Sequence, residues 1–175
     1  MVAKTRPVAR SVKKNTPHVQ MFPMIMSNLP AVLQVEEDSF NEADTWGEKR
    51  MLCVLHRRNV IGKLVVQDGR VVGFMIYELH KSKLQLLKFA VAPAERRAGI
   101  GACMVANLVG RLSLGHRTRI TLRVRETNKV AQRFFKAQGF NVVRTLPNFY
   151  GKGNACLLLE YKLAGAEAEA PMTGS

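Results

Sequence analysis

Apolar residues are arranged in two ways along this chain, in short continuous runs and at helical spacing, and the runs predict strands. Residues 60–67, 71–79 and 84–91 are runs rich in apolar and β-branched side chains, bounded by polar or turn-forming residues. The Asp68-Gly69 pair between the first two runs is a strong hairpin signal. We therefore expect three successive antiparallel strands.

A helical period follows the third strand. One buried stripe is predicted from apolar residues that recur every four positions: Ile100, Met104, Leu108 and Leu112. Gly115 is expected to end this helix. Residues 118–124 are again β-rich, and a strand that follows a helix can lie parallel to strand 84–91 through a right-handed crossover. This βαβ unit is expected to form the centre of the fold.

Shorter elements are predicted on both sides of this unit. Asn28 is expected to cap a helix that contains Pro30 in its first turn and ends near Phe40, and a second helix should cover about 45–58.

After the crossover, a helix over 128–138 is expected to be capped by Asn128 and ended by Gly139, and 140–144 with 154–162 should form a terminal hairpin. The side chains of this helix available for burial are Val130, Phe134 and Phe135. The predicted class is α/β (α+β): a mixed, mostly antiparallel sheet with a central βαβ crossover and flanking helices.

Length and charge suggest one basic domain with two polar ends. We expect a flexible basic arm over 1–20, a domain over 21–162 and a disordered tail over 163–175 in this chain of 175 residues. The formal net charge of +14 favours polyanionic partners and argues against polycationic substrates such as polyamines.

Cysteine spacing and hydropathy limit the setting of the protein. Cys53, Cys103 and Cys156 are too far apart for a disulfide framework or a zinc motif, so no metal is expected. We find neither a long apolar run nor a signal-peptide pattern. A cytoplasmic protein without a membrane partner is expected.

The stretch from Lys88 to Gly101 reads as strand, proline turn, glycine loop and helix start. The first N–H groups of a helix have no intrahelical partner and bind phosphate oxygens well. Gly99 and Gly101 let the backbone approach a diphosphate closely, and Arg96 and Arg97 add charge at the same place. An ordinary exposed helix start remains an alternative interpretation.

The spacing Arg96-x-x-Gly99-x-Gly101 after Val91-Ala-Pro93 resembles the acetyl-CoA signature of the GNAT superfamily of N-acetyltransferases. The resemblance implies that the strand before the loop splays from its neighbour and bonds the pantetheine arm through Phe89, Ala90 and Val91. The pyrophosphate would then be held by the loop residues Arg96, Arg97, Ala98, Gly99, Ile100, Gly101 and Ala102.

Three further segments resemble RimI-type ribosomal-protein-alanine acetyltransferases. Residues 122–128, followed by Phe134-Phe135 and Gly139-Phe140, match the strand and helix in which the residue at Asn128 touches the CoA arm. Residues 29–40 match the first helix, after which the loop borders the acceptor site. Phe149-Tyr150 stands where those enzymes carry an aromatic pair. Substrate binding is thereby implied for Phe40, Phe149 and Tyr150.

The usual catalytic pair of that group is missing. The position of the carboxylate base holds Arg123, which cannot accept a proton at neutral pH, and the position of the tyrosine acid holds Phe135, which has none to donate. Tyr150 is the remaining catalytic candidate, with simple packing against the sheet as the alternative. An α-amino group titrates near pH ~8 and so depends less on a dedicated base.

The sequence therefore predicts an acyl-CoA-dependent N-acetyltransferase that moves an acetyl group from acetyl-CoA to an amine. The expected acceptor is the N-terminal α-amino group of a protein or peptide, with ribosomal proteins among the candidates and weak electrostatic contact with RNA as a further partner. The alternatives are a lysine or small-amine acceptor, and a non-catalytic acetyl-CoA-binding or RNA-associated module.

Overall fold

The computed structural model describes residues 18–165, which form one seven-stranded sheet with helices on both faces. The strands are β1 (Gln20–Pro23), β2 (Val60–Gln67), β3 (Arg70–Leu79), β4 (Lys83–Val91), β5 (Arg119–Arg125), β6 (Asn141–Leu146) and β7 (Cys156–Lys162). The helices are α1 (Leu29–Ser39), α2 (Gly47–Leu55), α3 (Ile100–Leu114) and α4 (Lys129–Ala137), with short 3-10 turns at Met26–Asn28 and Pro93–Glu95.

The strand order is β1-β2-β3-β4-β5-β7-β6, and β4–β5 is a parallel pair among antiparallel ones. The predicted α/β (α+β) class, the central crossover through α3 and the terminal hairpin are confirmed. Asp68 and Gly69 both have left-handed backbones, with φ of 50° and 75°, as a two-residue hairpin turn requires.

Each face of the sheet carries its own apolar core. The predicted stripe of α3 is fully buried against one face, together with Phe135 and Phe140 from the α4 region. Val32 of α1 and Met51 of α2 pack with Phe74 on the other face. The sheet is therefore covered on both sides, and successive side chains along a strand point into different cores.

Several local predictions were wrong. Val130 on α4 is 75% exposed because the helix turns its Phe134 and Phe135 side toward the sheet. Asn28 does not cap α1 with its side chain; Asn28 Oδ1 accepts instead from the Ile25 N–H at 3.4 Å. Asn128, by contrast, caps α4 as predicted, since its Oδ1 accepts from the Ala131 N–H at 3.0 Å.

Element boundaries differ most near the two ends of the chain. Strand β1 was not predicted, and α2 is shorter than the expected 45–58. Most of the expected basic arm (1–17) and most of the expected tail (166–175) lie outside the described residues. Within residues 18–165, no helix is long and apolar enough to cross a membrane.

Candidate active site

The central parallel strand pair separates partway along its length. Residues Lys83 to Leu86 of β4 pair with Arg119 to Leu122 of β5, and the register stops there. The Ala92 N–H donates to Val72 of β3 at 2.8 Å. Because backbone direction alternates along a strand, Val91 and Phe89 turn their polar groups away from β3 and toward the opening. A gap that the backbone N–H groups of Phe89 and Val91 face therefore runs beside the second half of β4.

The loop after β4 is tied back to the strand. Arg96 donates from Nε to the Val91 carbonyl at 3.0 Å, and Ser39 of α1 donates to the same oxygen at 3.4 Å. Arg97 and Gly99 both have left-handed backbones, with φ of 70° and 85°. Arg96 thus fixes the loop while its remaining guanidinium N–H groups stay at the surface.

Helix α3 begins directly after this loop. Its first intrahelical bond runs from the Cys103 N–H to the Gly99 carbonyl at 3.1 Å, so the N–H groups of Ile100, Gly101 and Ala102 precede the helical ladder. Backbone donors and the positive end of the helix dipole therefore meet at the loop. These residues fit a diphosphate group, and their role in binding one stays a prediction.

Gly101 has a packing role that the sequence did not reveal. A Cβ on this residue would lie 2.9 Å from Phe134 Cζ, so α3 and α4 approach closely here. Phe134 belongs to an aromatic cluster with Phe89 and Phe135, whose ring centroids are 5.0 to 5.7 Å apart. Phe135, which stands at the expected acid position, is buried in this cluster and offers no proton.

A cavity of about 540 Å³ opens beside the gap. It is bounded by the α1–α2 loop, β4, β5, the start of α4 and the β6–β7 loop. The predicted site residues that line it are Phe40, Phe89, Asn128, Phe149 and Tyr150. Ala90, Val91 and the loop 96–102 are not among its lining residues; they follow β4 away from the cavity toward α3.

Lys88 and Glu36 form a buried ion pair at the wall of this cavity. Lys88 Nζ lies 2.8 Å from Glu36 Oε1 and 2.5 Å from the Asp44 carbonyl oxygen. Lys88 Nζ also lies 3.9 Å from the ring centroid of Phe40. Burial lowers the pKa of Lys88, although Glu36 acts in the opposite direction. Glu36 also accepts from the Trp46 N–H at 2.9 Å, so the pair fixes the α1–α2 loop.

Asp44 joins that loop to the far side of the cavity. Arg125 Nε donates to the two carboxylate oxygens of Asp44 at 2.8 and 3.0 Å. The Arg125 guanidinium lies 4.0 Å from the ring centroid of Tyr150. Burial raises the pKa of Tyr150 to about 12, so its hydroxyl stays protonated at neutral pH.

Sequence reasoning missed five charged residues in or beside the cavity: Glu36, Asp44, Arg50, Lys88 and Arg125. A signal was present for Lys88, which interrupts an otherwise apolar stretch of strand. A charge at such a position predicts a buried partner. Its partner could not be identified before the fold placed α1 over β4. Among residues 18–165, no group of three or more His, Cys, Asp or Glu side chains could hold a metal.

A sheet that opens between two parallel strands, with a glycine-containing helix start at one end and an aromatic cavity at the other, is the predicted acetyltransferase architecture. The family model for acetyltransferases of the GNAT family matches residues 29–140, and the chain belongs to this family. The predicted class, an acyl-CoA-dependent acetyltransferase with acetyl-CoA as co-substrate, follows from this membership.

Named relatives and solved structures agree with this assignment. The chain is 28% identical over 124 residues to the [ribosomal protein bS18]-alanine N-acetyltransferase of Salmonella typhimurium, covering 71% of this chain and 82% of that protein. The crystal structure of the ribosomal-protein-S18-alanine N-acetyltransferase from Escherichia coli has a TM-score of 0.74 at 20% identity, over 90% of this chain and 99% of that one.

A third comparison concerns a structure with a bound ligand. The PaiA N-acetyltransferase from Thermoplasma acidophilum, solved in complex with coenzyme A, has a TM-score of 0.69 at 16% identity, over 82% of this chain and 98% of that one. At this identity the likeness concerns the fold.

Proposed function

We propose that the protein transfers the acetyl group of acetyl-CoA to the N-terminal α-amino group of a protein. The observation that carries this proposal is the open cavity beside the β4–β5 gap, which is lined by Phe40 and Trp46 of the α1–α2 loop and by Phe149 and Tyr150 of the β6–β7 loop. Such an opening can admit the end of a chain. The relatedness to an alanine N-acetyltransferase supports the same acceptor class.

The donor would lie along the gap. Phe89 and Val91 would bond the pantetheine arm through their backbone N–H groups, whereas the backbone of Ala90, which was also expected to do so, is paired with Phe74 of β3. The loop 96–102 would hold the diphosphate with Arg96 and Arg97 beside it. Asn128 uses its Oδ1 to cap α4, which leaves its side-chain amide N–H₂ as a donor near the thioester end.

The reaction forms one N–C bond and breaks one C–S bond. The attacking amine releases one proton to solvent water, and the leaving thiolate gains one from a donor that solvent then reprotonates. The two carboxylates near the cavity are each held in an ion pair, Glu36 with Lys88 and Asp44 with Arg125, so neither is positioned to take a proton from the amine. The neighbouring positive charges disfavour a protonated amine and would lower the pKa of the acceptor. An α-amine, whose pKa is already near ~8, would reach its neutral form without a dedicated base.

Tyr150 is the proposed proton donor. Its hydroxyl is neutral at working pH, since an ordinary tyrosine titrates near pH ~10 and burial raises the pKa of Tyr150 further, to about 12. The stack with Arg125 fixes the ring at the cavity. Since Phe135 cannot donate, Tyr150 would protonate the leaving thiolate directly or through one water.

The wider setting stays a proposal as well. A ribosomal protein is a candidate acceptor, and the net charge of +14 suits weak contact with RNA in the cytoplasm. The domain itself would span 21–162.

A lysine acceptor is less suitable because its pKa of ~10.4 calls for a stronger base. Arg123 and Phe135 at the usual catalytic positions motivate the remaining alternative, a module that binds acetyl-CoA without turnover.

The test is to incubate the protein with acetyl-CoA and a panel of peptides with free N-termini, and to locate added acetyl groups by mass spectrometry. Matched peptides with a blocked N-terminus and an internal lysine are the control. Acetylation confined to free N-termini is expected. Acetylation of the blocked peptides would reassign the acceptor to lysine, and binding of acetyl-CoA without any product would favour the non-catalytic alternative.

A further inference from the structure

Two of the four cationic side chains that line the cavity are already neutralised. Lys88 is paired with Glu36, and Arg125 is paired with Asp44. Arg50 and Arg123 also line the cavity, and neither forms an ion pair with any residue in the described range 18–165. The acceptor end of the cavity therefore carries uncompensated positive charge.

Both arginines are positioned by aromatic rings of the same cavity. The Arg50 guanidinium lies 5.0 Å from the ring centroid of Trp46, and that of Arg123 lies 5.2 Å from that of Phe149. A guanidinium held over a ring loses part of its side-chain freedom and keeps its N–H donors. Arg123 lies two residues before Arg125 on β5, so both side chains leave the same face of the sheet.

We infer that the acceptor carries a carboxylate close to its reactive amine and that Arg123 binds it, while Arg50 adds positive charge to the same cavity. An arginine fork matches a carboxylate bidentately, whereas a basic side chain at the same place would be repelled. The inference rests on the proposed function and narrows its substrate: a protein N-terminus with Asp or Glu directly after the acetylated residue. The position that would hold a base thus becomes a residue that selects the substrate.

The experiment compares three peptides that differ at the second residue, Ala-Glu, Ala-Gln and Ala-Lys, with a common neutral remainder. The protein should prefer Glu over Gln in kcat/KM by about tenfold, which is the size of one hydrogen-bonded charge contact, and Lys should be the poorest. Arg123→Gln should remove this preference. Arg58→Gln makes the same charge change at an exposed residue outside the cavity lining and should retain it.

Binding is measured separately through Trp46, the single tryptophan of the chain, whose fluorescence reports occupation of the cavity. Equal rates and equal binding for all three peptides would overturn the inference while leaving the proposed function intact. Preferential binding of the Glu peptide without acetyl transfer would overturn the proposed function while leaving the carboxylate site intact. Neither binding nor transfer would overturn both.

A free amino acid also offers a carboxylate next to its amine. Free glutamate and free alanine are therefore included as acceptors. Faster acetylation of either amino acid than of the Ala-Glu peptide would assign the arginines to an α-carboxylate and overturn the peptide substrate.

Discussion

Lys88 Nζ lies 2.8 Å from Glu36 Oε1, and both side chains are almost completely removed from solvent. Glu36 also accepts from the Trp46 and Gly47 N–H groups at 2.9 and 3.1 Å. The pair therefore joins the centre of β4 to α1 and to the start of α2. Its charges are satisfied from three elements, which is what makes burial of an ion pair tolerable.

Glu36→Gln should destabilise the protein strongly. The variant leaves the Lys88 ammonium buried without a counter-charge, and the free energy of unfolding should fall by about 3 kcal/mol in urea denaturation. Glu37→Gln changes the same group on the exposed side of α1 and should have little effect. Adding Lys88→Met to Glu36→Gln should restore most of the loss. A double variant no more stable than Glu36→Gln alone would show that Lys88 was not the cause.

Features governed by neighbouring residues could be predicted from the sequence. The α3 stripe, the Asp68-Gly69 hairpin and the Asn128 cap each depend on residues a few positions apart, and each is confirmed. The β1 strand could not be predicted in this way because its four residues include Pro23 and show no clear alternation. It exists because β2 offers it a paired edge.

The proposed cofactor end and the proposed acceptor end of the site also differ in how much of each could be predicted from neighbouring residues. The glycine loop could be proposed as a diphosphate site because its residues lie in one continuous stretch of sequence. The Asp44 to Arg125 contact joins residues that are distant in the chain, and nothing near either residue indicates the other. The sequence showed an arginine, Arg123, at the position where the resemblance implies a carboxylate base. Its stack on Phe149 could not be seen there, because it requires the β6–β7 loop to fold over β5.

Gly101→Ala should be destabilising although Ala is the better helix former. The new Cβ would lie 2.9 Å from Phe134 Cζ and 3.1 Å from Cε2, so the ring must move. We expect a loss of about 1 kcal/mol in the free energy of unfolding. Gly110→Ala on the same helix is the matched control: nothing lies within 4 Å of its Cβ, and a gain of about 0.5 kcal/mol is expected. Equal effects at both positions would contradict the packing role of Gly101.

Arg97 combines a left-handed backbone with a proposed contact to the diphosphate. Its φ is 70°, a conformation that costs a non-glycine residue about 1 kcal/mol. Arg97→Gly and Arg97→Ala both remove the charge, but only Ala retains the strain. The Gly variant should therefore be more stable than the Ala variant by about 0.5 kcal/mol after the entropy of its unfolded chain is included.

Arg97→Gly and Arg97→Ala should differ in stability but should bind acetyl-CoA with the same reduced affinity. Calorimetric titration should show both binding about tenfold more weakly than the parent, because both lack the guanidinium. Arg97→Lys, which keeps a positive charge, should lose less affinity for acetyl-CoA than the Gly and Ala variants. Unchanged affinity in the Gly and Ala variants would remove Arg97 from the proposed diphosphate site.

Tyr150→Phe tests the proposed proton donor while keeping the ring over Arg125. If Tyr150 protonates the leaving thiolate, kcat should fall by about a hundredfold, since a positioned general acid contributes at least that much. Tyr161→Phe removes a hydroxyl from a partly buried ring on β7, outside the cavity lining, and should leave kcat unchanged. A Tyr150→Phe variant with normal kcat and a raised KM would limit Tyr150 to covering the acceptor.

The pH profile gives an independent measure of the same residue. Burial raises the pKa of Tyr150 from 10.0 to about 12, so the folded protein favours the neutral hydroxyl. The contribution of this preference to the free energy of unfolding is present below pH 10 and is lost as the pH rises through about 12. The donor should thus remain protonated over the whole working range. With an N-terminal peptide, kcat/KM should rise as the amine loses its proton at or below pH ~8 and then stay level to about pH 10. A decline in kcat/KM between pH 8 and 10 that is absent from Tyr150→Phe would mean that the hydroxyl of Tyr150 ionises in this range. Such a result would contradict a pKa raised by burial.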